Sequence, residues 1–140
     1  MPPTRMMTGG CLCGSVRFVV EGAVGSAAYC HCKDCRKCTG SAFNVSVAVE
    51  AKCFRIVSGS PKGYTKTADS GNELTRYFCG HCGSPIFTSS PRHPDRVYVK
   101  AGSFDDPSVV TPAYQSWMDS AVPWASIVPG LPGFAKGRSP

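Results

Sequence analysis

Four cysteines, Cys30, Cys32, Cys35 and Cys38, crowd the segment "AAYCHCKDCRKCTG", residues 27–40, and His31 stands between the first two. So dense a set of thiols serves one of three ends: a disulfide staple, a closed metal clamp, or a metal site with a vacant position. The other cysteines bear on the choice. They are Cys11 with Cys13, Cys79 with Cys82, and Cys53 alone. Nine is an odd count, so disulfides would leave one thiol over. The opening "MPPTRMMTGGCLCG" lacks the apolar core of a secretory leader, and no run approaches the roughly 18 apolar residues of a membrane span. A soluble, cytoplasmic protein is therefore expected, with no membrane partner, and in that reducing compartment metal binding is the leading use of the thiols.

Spacing sorts the cysteines further. "CGHCGS", residues 79–84, has the form of a zinc knuckle, in which a tight turn aims backbone N–H groups at the first sulfur and a glycine after the second accepts a positive φ. "CLCG", residues 11–14, also places a glycine after its second thiol. Each pair supplies two ligands and a tetrahedral structural zinc takes four, so Cys11, Cys13, Cys79 and Cys82 would make one closed site. Cys30, Cys32 and Cys35 then remain as three thiolates with a fourth position open, the mark of a catalytic zinc. Two rivals stay open on spacing alone. Cys38 could close that site, or Cys32 and Cys35 could join Cys79 and Cys82 in a ribbon. Cys53 reads as a small buried hydrophobe.

The rest of the chain supports a small β scaffold. With 140 residues it suffices for one domain, and 15 glycines and 12 prolines punctuate it too often for long helices. "SVRFVVEG", "AFNVSVAVE" and "KCFRIVSG" read as strands, the second alternating with period two. "GYTKT" and "ELTRYFC" flank the turn residues "ADSGN", and "SPIFTSS" pairs with "DRVYVKAGS" across "PRHP". The single helical candidate is the turn after Asp105, which Asp105 or Asp106 would cap. Residues 1–8 are expected to be a flexible N-terminus, 9–128 a zinc-binding domain, and 129–140 a loosely packed Pro/Gly-rich tail.

The net charge of +6 is scattered apart from Lys33, Arg36 and Lys37, which argues for a small anionic ligand and against a nucleic-acid track. His31 and His81 are expected outside the ligand sets, in solvent or supporting the ligands, and His93 on a loop surface. Trp117 and Trp124 read as core residues or as walls of a cleft.

The motifs "GGCLCGSVRF", "YCHCKDCRKCTGSAF", "RYFCGHCGSPIF", "VKAGSFDDP" and "VPW" follow the order and spacing of the glutathione-dependent formaldehyde-activating enzyme family, which this chain resembles over about residues 9–128. The resemblance implies a mostly β, β-tent fold of small antiparallel sheets around zinc, similar to that of a zinc-binding chaperone of Rab GTPases. It assigns Cys11, Cys13, Cys79 and Cys82 to a structural zinc, and Cys30, Cys32 and Cys35 to a catalytic one. Cys38 and Cys53 lie outside the family pattern. So does Gln115 in "TPAYQSW", where a histidine is expected nearby in many relatives.

The implied activity is that of a carbon–sulfur lyase, which joins formaldehyde to the thiol of glutathione and gives S-hydroxymethylglutathione. An open three-thiolate zinc suits this, because coordination strips a substrate thiol of its proton at neutral pH. Lys33, Arg36 and Lys37, beside the ligands, form the expected rim for the carboxylates of glutathione. The alternative is a non-catalytic zinc module that binds a protein partner, as it would if Cys38 closed the second site.

Overall fold

The computed structural model describes residues 5–125 and 130–138. Its strands are β1 (Met6–Gly10), β2 (Arg17–Glu21), β3 (Ala27–Cys30), β4 (Asn44–Glu50), β5 (Phe54–Ser58), β6 (Lys62–Thr67), β7 (Glu73–Phe78), β8 (Pro85–Ser89), β9 (Arg96–Lys100) and β10 (Pro112–Ser116). One helix, α1 (Lys33–Thr39), and short 3-10 turns complete the described elements. The mostly β architecture expected from the sequence is present. None of the described helices is long and apolar enough to cross a membrane.

The strands form a three-stranded sheet in the order β1-β2-β5 and a seven-stranded sheet in the order β10-β3-β4-β9-β8-β7-β6. All neighbours are antiparallel except β10, which runs parallel to β3. The hairpins β6–β7 and β8–β9 are those that the turn residues predict.

Alternation along the strands decides what each face does. In β4 and β9, Val47, Val49, Val97 and Val99 point into the core, where they join Val16 just before β2, Phe18 and Val20 of the smaller sheet and Ile86 of β8. A line of rings crosses from one sheet to the other: Phe18 to Phe54 at 5.4 Å, Phe54 to Phe87 at 4.7 Å, and Phe87 stacked on Tyr77 at 4.4 Å. Burying this surface between the sheets is the main apolar stabilisation of the fold.

The opposite face of the larger sheet carries polar and small residues, because those occupy the alternate positions. Ser46 pairs with Lys100, Ala48 with Tyr98 and Thr88 with Arg76 in register. Short side chains on β4 leave this face low at its centre, so it forms the floor of a cavity.

The structure departs from the sequence reading in three places. Met6–Thr8, expected in a flexible N-terminus, belong to β1 and pair with β2. The cysteine segment holds α1, which is too short to show a periodicity. Its ends are set chemically: Cys32 is the N-cap, its sulfur accepting from Cys35 N–H at 3.3 Å, and Gly40 closes it at φ 68°. The tail, expected to be loose, lies along β10, with Gln115 N–H bonded to Pro132 O and Phe134 N–H to Gln115 O. Phe134 packs edge-on to Tyr114 at 5.8 Å, which gives a chain rich in Pro and Gly a fixed seat.

Candidate metal centres and pocket

The turn between β1 and β2 carries Cys11 and Cys13, and the connection between β7 and β8 carries Cys79 and Cys82. Their four sulfurs lie within 4.8 Å of one another. Cys11 and Cys13 Sγ are 3.6 Å apart, and Cys13 and Cys79 Sγ 3.8 Å. A tetrahedral zinc with bonds of about 2.3 Å sets its sulfurs about 3.8 Å apart, so the cage fits that ion. Gly14 at φ 82° and Gly83 at φ 80° let the chain turn behind the second thiol of each pair.

Donors converge on these sulfurs, as thiolates require. Val16 N–H reaches Cys11 Sγ at 3.2 Å, and His81 and Cys82 N–H reach Cys79 Sγ at 3.4 Å. The Ser15 hydroxyl lies 3.2 Å from Cys13 Sγ and 3.3 Å from Cys79 Sγ. Ser84 Oγ, 3.2 Å from Cys82 Sγ, is the foremost of the contacts that hold the Cys82 thiol down to about 5.

Cys30, Cys32 and Cys35 make the second cluster, their sulfurs again within 4.8 Å of one another. Cys30 ends β3, Cys32 caps α1 and Cys35 lies in its first turn, so one short segment supplies all three. Hydrogen bonds with Cys30 and Cys35 pull the Cys32 thiol far down, whereas those with Cys30 and Cys32 push Cys35 up. Three adjacent thiols share protons in this way until a cation replaces them. The donor set suits a thiophilic divalent ion with one position left. Cys38 is exposed on α1 and does not belong to the cluster, and Cys53 lies apart from both.

His31 is buried, and its Nε2 lies 3.0 Å from Gln115 Oε1, while its backbone N–H bonds Ser116 O. Among the described residues, His31 Nδ1 and Gln115 Nε2 have no partner. The pair ties the cysteine segment to β10, and it involves the position where relatives are expected to carry histidine nearby. His81 is exposed, as the sequence reading places it.

A cavity of about 350 Å³ opens over the polar sheet face and is edged by Cys30 and Cys35. Its cations are Arg76, Arg96 and Lys100, and among the described residues no carboxylate lines it. Lys100 is 8% exposed and donates to Asn44 Oδ1 at 2.7 Å, and Asn44 in turn bonds Ser46 at 2.9 Å. Burial pushes the Lys100 pKa down, against the opposing pull of Cys35 and its neighbours. Three thiolates around a dication keep one net negative charge, which a nearby ammonium offsets.

The expected rim is placed differently. Lys33 and Lys37 are exposed on α1, Arg36 is half-buried, and none of the three lines this cavity. The alternation in "RVYVK" is the sequence signal for its cations, since it sends Arg96 and Lys100 to one face and both valines to the other. Trp117 also lines the cavity, held at φ 57° with Lys136 of the tail over its ring at 5.8 Å; Trp124 is exposed. Neither tryptophan is a core residue. His93, expected on a loop surface, edges the same cavity.

Two sheets carrying a tetracysteine cage and a tricysteine cluster over a cationic pocket define a β protein of the β-tent kind whose thiols could hold two metal ions. The sequence model of the glutathione-dependent formaldehyde-activating enzyme family matches residues 6–120, and the chain belongs to that family. A protein of Halomonas elongata, provisionally named a glutathione-dependent formaldehyde-activating enzyme, is 31% identical over 110 residues, 71% of this chain. The match spans 66% of that relative's length, just under two thirds. The crystal structure of a Rhodobacter sphaeroides protein shares the fold, with a TM-score of 0.59 and 19% identity over 91% of this chain and 99% of that one.

Proposed function

We propose that this chain is a cytoplasmic, zinc-dependent carbon–sulfur lyase that adds formaldehyde to the thiol of glutathione or a similar small acidic thiol. In the synthetic direction the sulfur forms a bond to the aldehyde carbon, the C=O π pair becomes a hydroxyl, and the thiol proton ends on that oxygen. One observation carries the reading: three sulfurs converge at the edge of a cationic cavity while Cys38 stays outside their cluster. A zinc bound there would offer its fourth position to a substrate sulfur and lower the pKa of that thiol below neutral.

The remaining work falls to the chain. Backbone N–H of Cys35 steadies the Cys32 sulfur at 3.3 Å, and α1 is pinned by Asp34, which accepts from Lys66 Nζ of β6 at 2.6 Å. Arg76 and Lys100 supply positive charge beside the sulfurs, and the sheet floor excludes water from one side. Cys11, Cys13, Cys79 and Cys82 would hold a second, structural zinc away from the reaction.

The test is exchange between formaldehyde and S-hydroxymethylglutathione, followed by NMR, in zinc-loaded protein prepared without oxygen. Acceleration over the uncatalysed exchange, lost in Cys32→Ser, is expected. A rate equal to the uncatalysed one would overturn the reading.

A further inference from the structure

Lys100 poses a problem that the metal alone does not solve. Its ammonium lies in a nearly closed floor where an amide oxygen is its one hydrogen-bond acceptor, and none of the described residues that line the cavity around it is a carboxylate. A buried cation is costly unless opposite charge faces it; a metallated tricysteine cluster would supply that charge on one side only, and the open side of the cavity is left for an anion from outside. Arg96 shares its strand and face, four residues away, so the two backbone positions stand about 13 Å apart at 3.3 Å per residue. Lys100 is at the sulfur end, beside Cys30 and Cys35, and Arg96 at the far end. The one carboxylate paired with Arg96 is Asp95, at 3.7 Å and mostly exposed, which leaves the guanidinium available.

Resting on the thiol-binding reading above, we propose that Lys100 and Arg96 measure the charge and reach of the substrate. Lys100 receives a carboxylate close to the reacting thiol, and Arg96 receives a second carboxylate on a longer arm. A thiol with two separated carboxylates satisfies both cations. A thiol with one nearby carboxylate satisfies only Lys100, and a cationic thiol is repelled by both. The two are specificity-determining residues, since neither needs to touch the atoms that react. Ser46 and Ala48, the small residues opposite Lys100 and Tyr98 in register, leave the strip between the two cations open for such a molecule to lie along the sheet.

Calorimetric titration of zinc-loaded protein with glutathione, N-acetylcysteine and cysteamine tests this. Arg96→Gln should weaken glutathione at least about tenfold and N-acetylcysteine less than about twofold, because only glutathione has the distant carboxylate. Lys100→Met should weaken both by at least about tenfold, with metal content and melting temperature retained, and cysteamine should bind weakest throughout. Glutathione affinity unchanged by Arg96→Gln, or an equal loss for both acidic thiols, would overturn the proposal. So would unchanged affinities in Lys100→Met. Binding that depends on Arg96 without any acceleration of adduct exchange would sink the proposed reaction while leaving the charge-reading in place. Acceleration that is indifferent to both variants would do the reverse.

Discussion

The sulfur of Cys13 lies 3.8 Å from that of Cys79, a residue 66 positions further along the chain. The first comes from a turn of the smaller sheet and the second from a turn of the larger one, so a metal held between them would tie the two sheets together. Cys30, Cys32 and Cys35 close only a local loop. The two clusters therefore carry different shares of the stability.

From this follows a contrast in melting. Structural zinc sites contribute on the order of 10 kcal/mol to folding, against a total stability of about 5–15 kcal/mol for a domain. Cys79→Ser should abolish cooperative unfolding near physiological temperature. Cys32→Ser should cost about 1 kcal/mol. Thermal unfolding followed by circular dichroism decides it, and equal losses in the two variants would refute the division of the sites.

Metal content separates the clusters by a second route. Protein purified without oxygen should hold two zinc ions, Cys32→Ser one, and Cys38→Ser two, because Cys38 lies outside the cluster. Elemental analysis gives the count. Loss of an ion on Cys38→Ser would mean that the second site is closed, and would move the function toward a non-catalytic binding module.

The Arg17–Asp105 pair predicts an acid-sensitive joint between β2 and the 3-10 turn after β9. The guanidinium, with help from the Thr8 hydroxyl, holds the Asp105 carboxyl below its ordinary 3.8. A depressed folded pKa contributes stability above the unfolded value and loses it as pH falls through the folded one. Both side chains are more than a third exposed, within rounding, so the gain at neutral pH is no more than about 1 kcal/mol. Asp105→Asn should be less stable than the parent at pH 7 and match it once the pH has fallen below the depressed folded value of Asp105. Denaturant midpoints across that range would show it, and a gap that persists at low pH would exclude the pair as its source.

The buried His31–Gln115 contact predicts a larger effect. Gln115→Leu would strand His31 Nε2 without an acceptor, at a cost of about 1–3 kcal/mol. Because His31 separates Cys30 from Cys32, zinc at the tricysteine cluster should also be held less tightly. Urea unfolding together with competition against a chelator measures both. A variant as stable as the parent, with unchanged retention of the metal, would show that the contact is dispensable.

Much of this was legible in the sequence wherever the signal was local. "NVSVAVE" alternates, and β4 buries Val47 and Val49; "ADSGN" and "PRHP" mark hairpins that form. Gly14 of "CLCG" and Gly83 of "CGHCGS" adopt the positive φ that the knuckles need. What escaped was set by distant partners. Residues 33–39 are helical because of a sulfur cap and a terminal glycine, not an apolar stripe. The cations of the pocket come from β7 and β9, far in sequence from the cysteines, so proximity along the chain favoured Lys33, Arg36 and Lys37 instead. Tail docking escaped because its bonds run through the backbone, which every residue shares.

That docked tail also bears on self-association. Residues 132–134 cover the outer edge of β10, so among the described residues β6 alone leaves an open border on the larger sheet. Every residue of β6 is exposed, and Lys62 and Lys66 stand on it. A second chain adding a strand there would have to bring its own lysines against these, so like-charge repulsion discourages the sheet from growing into a fibril.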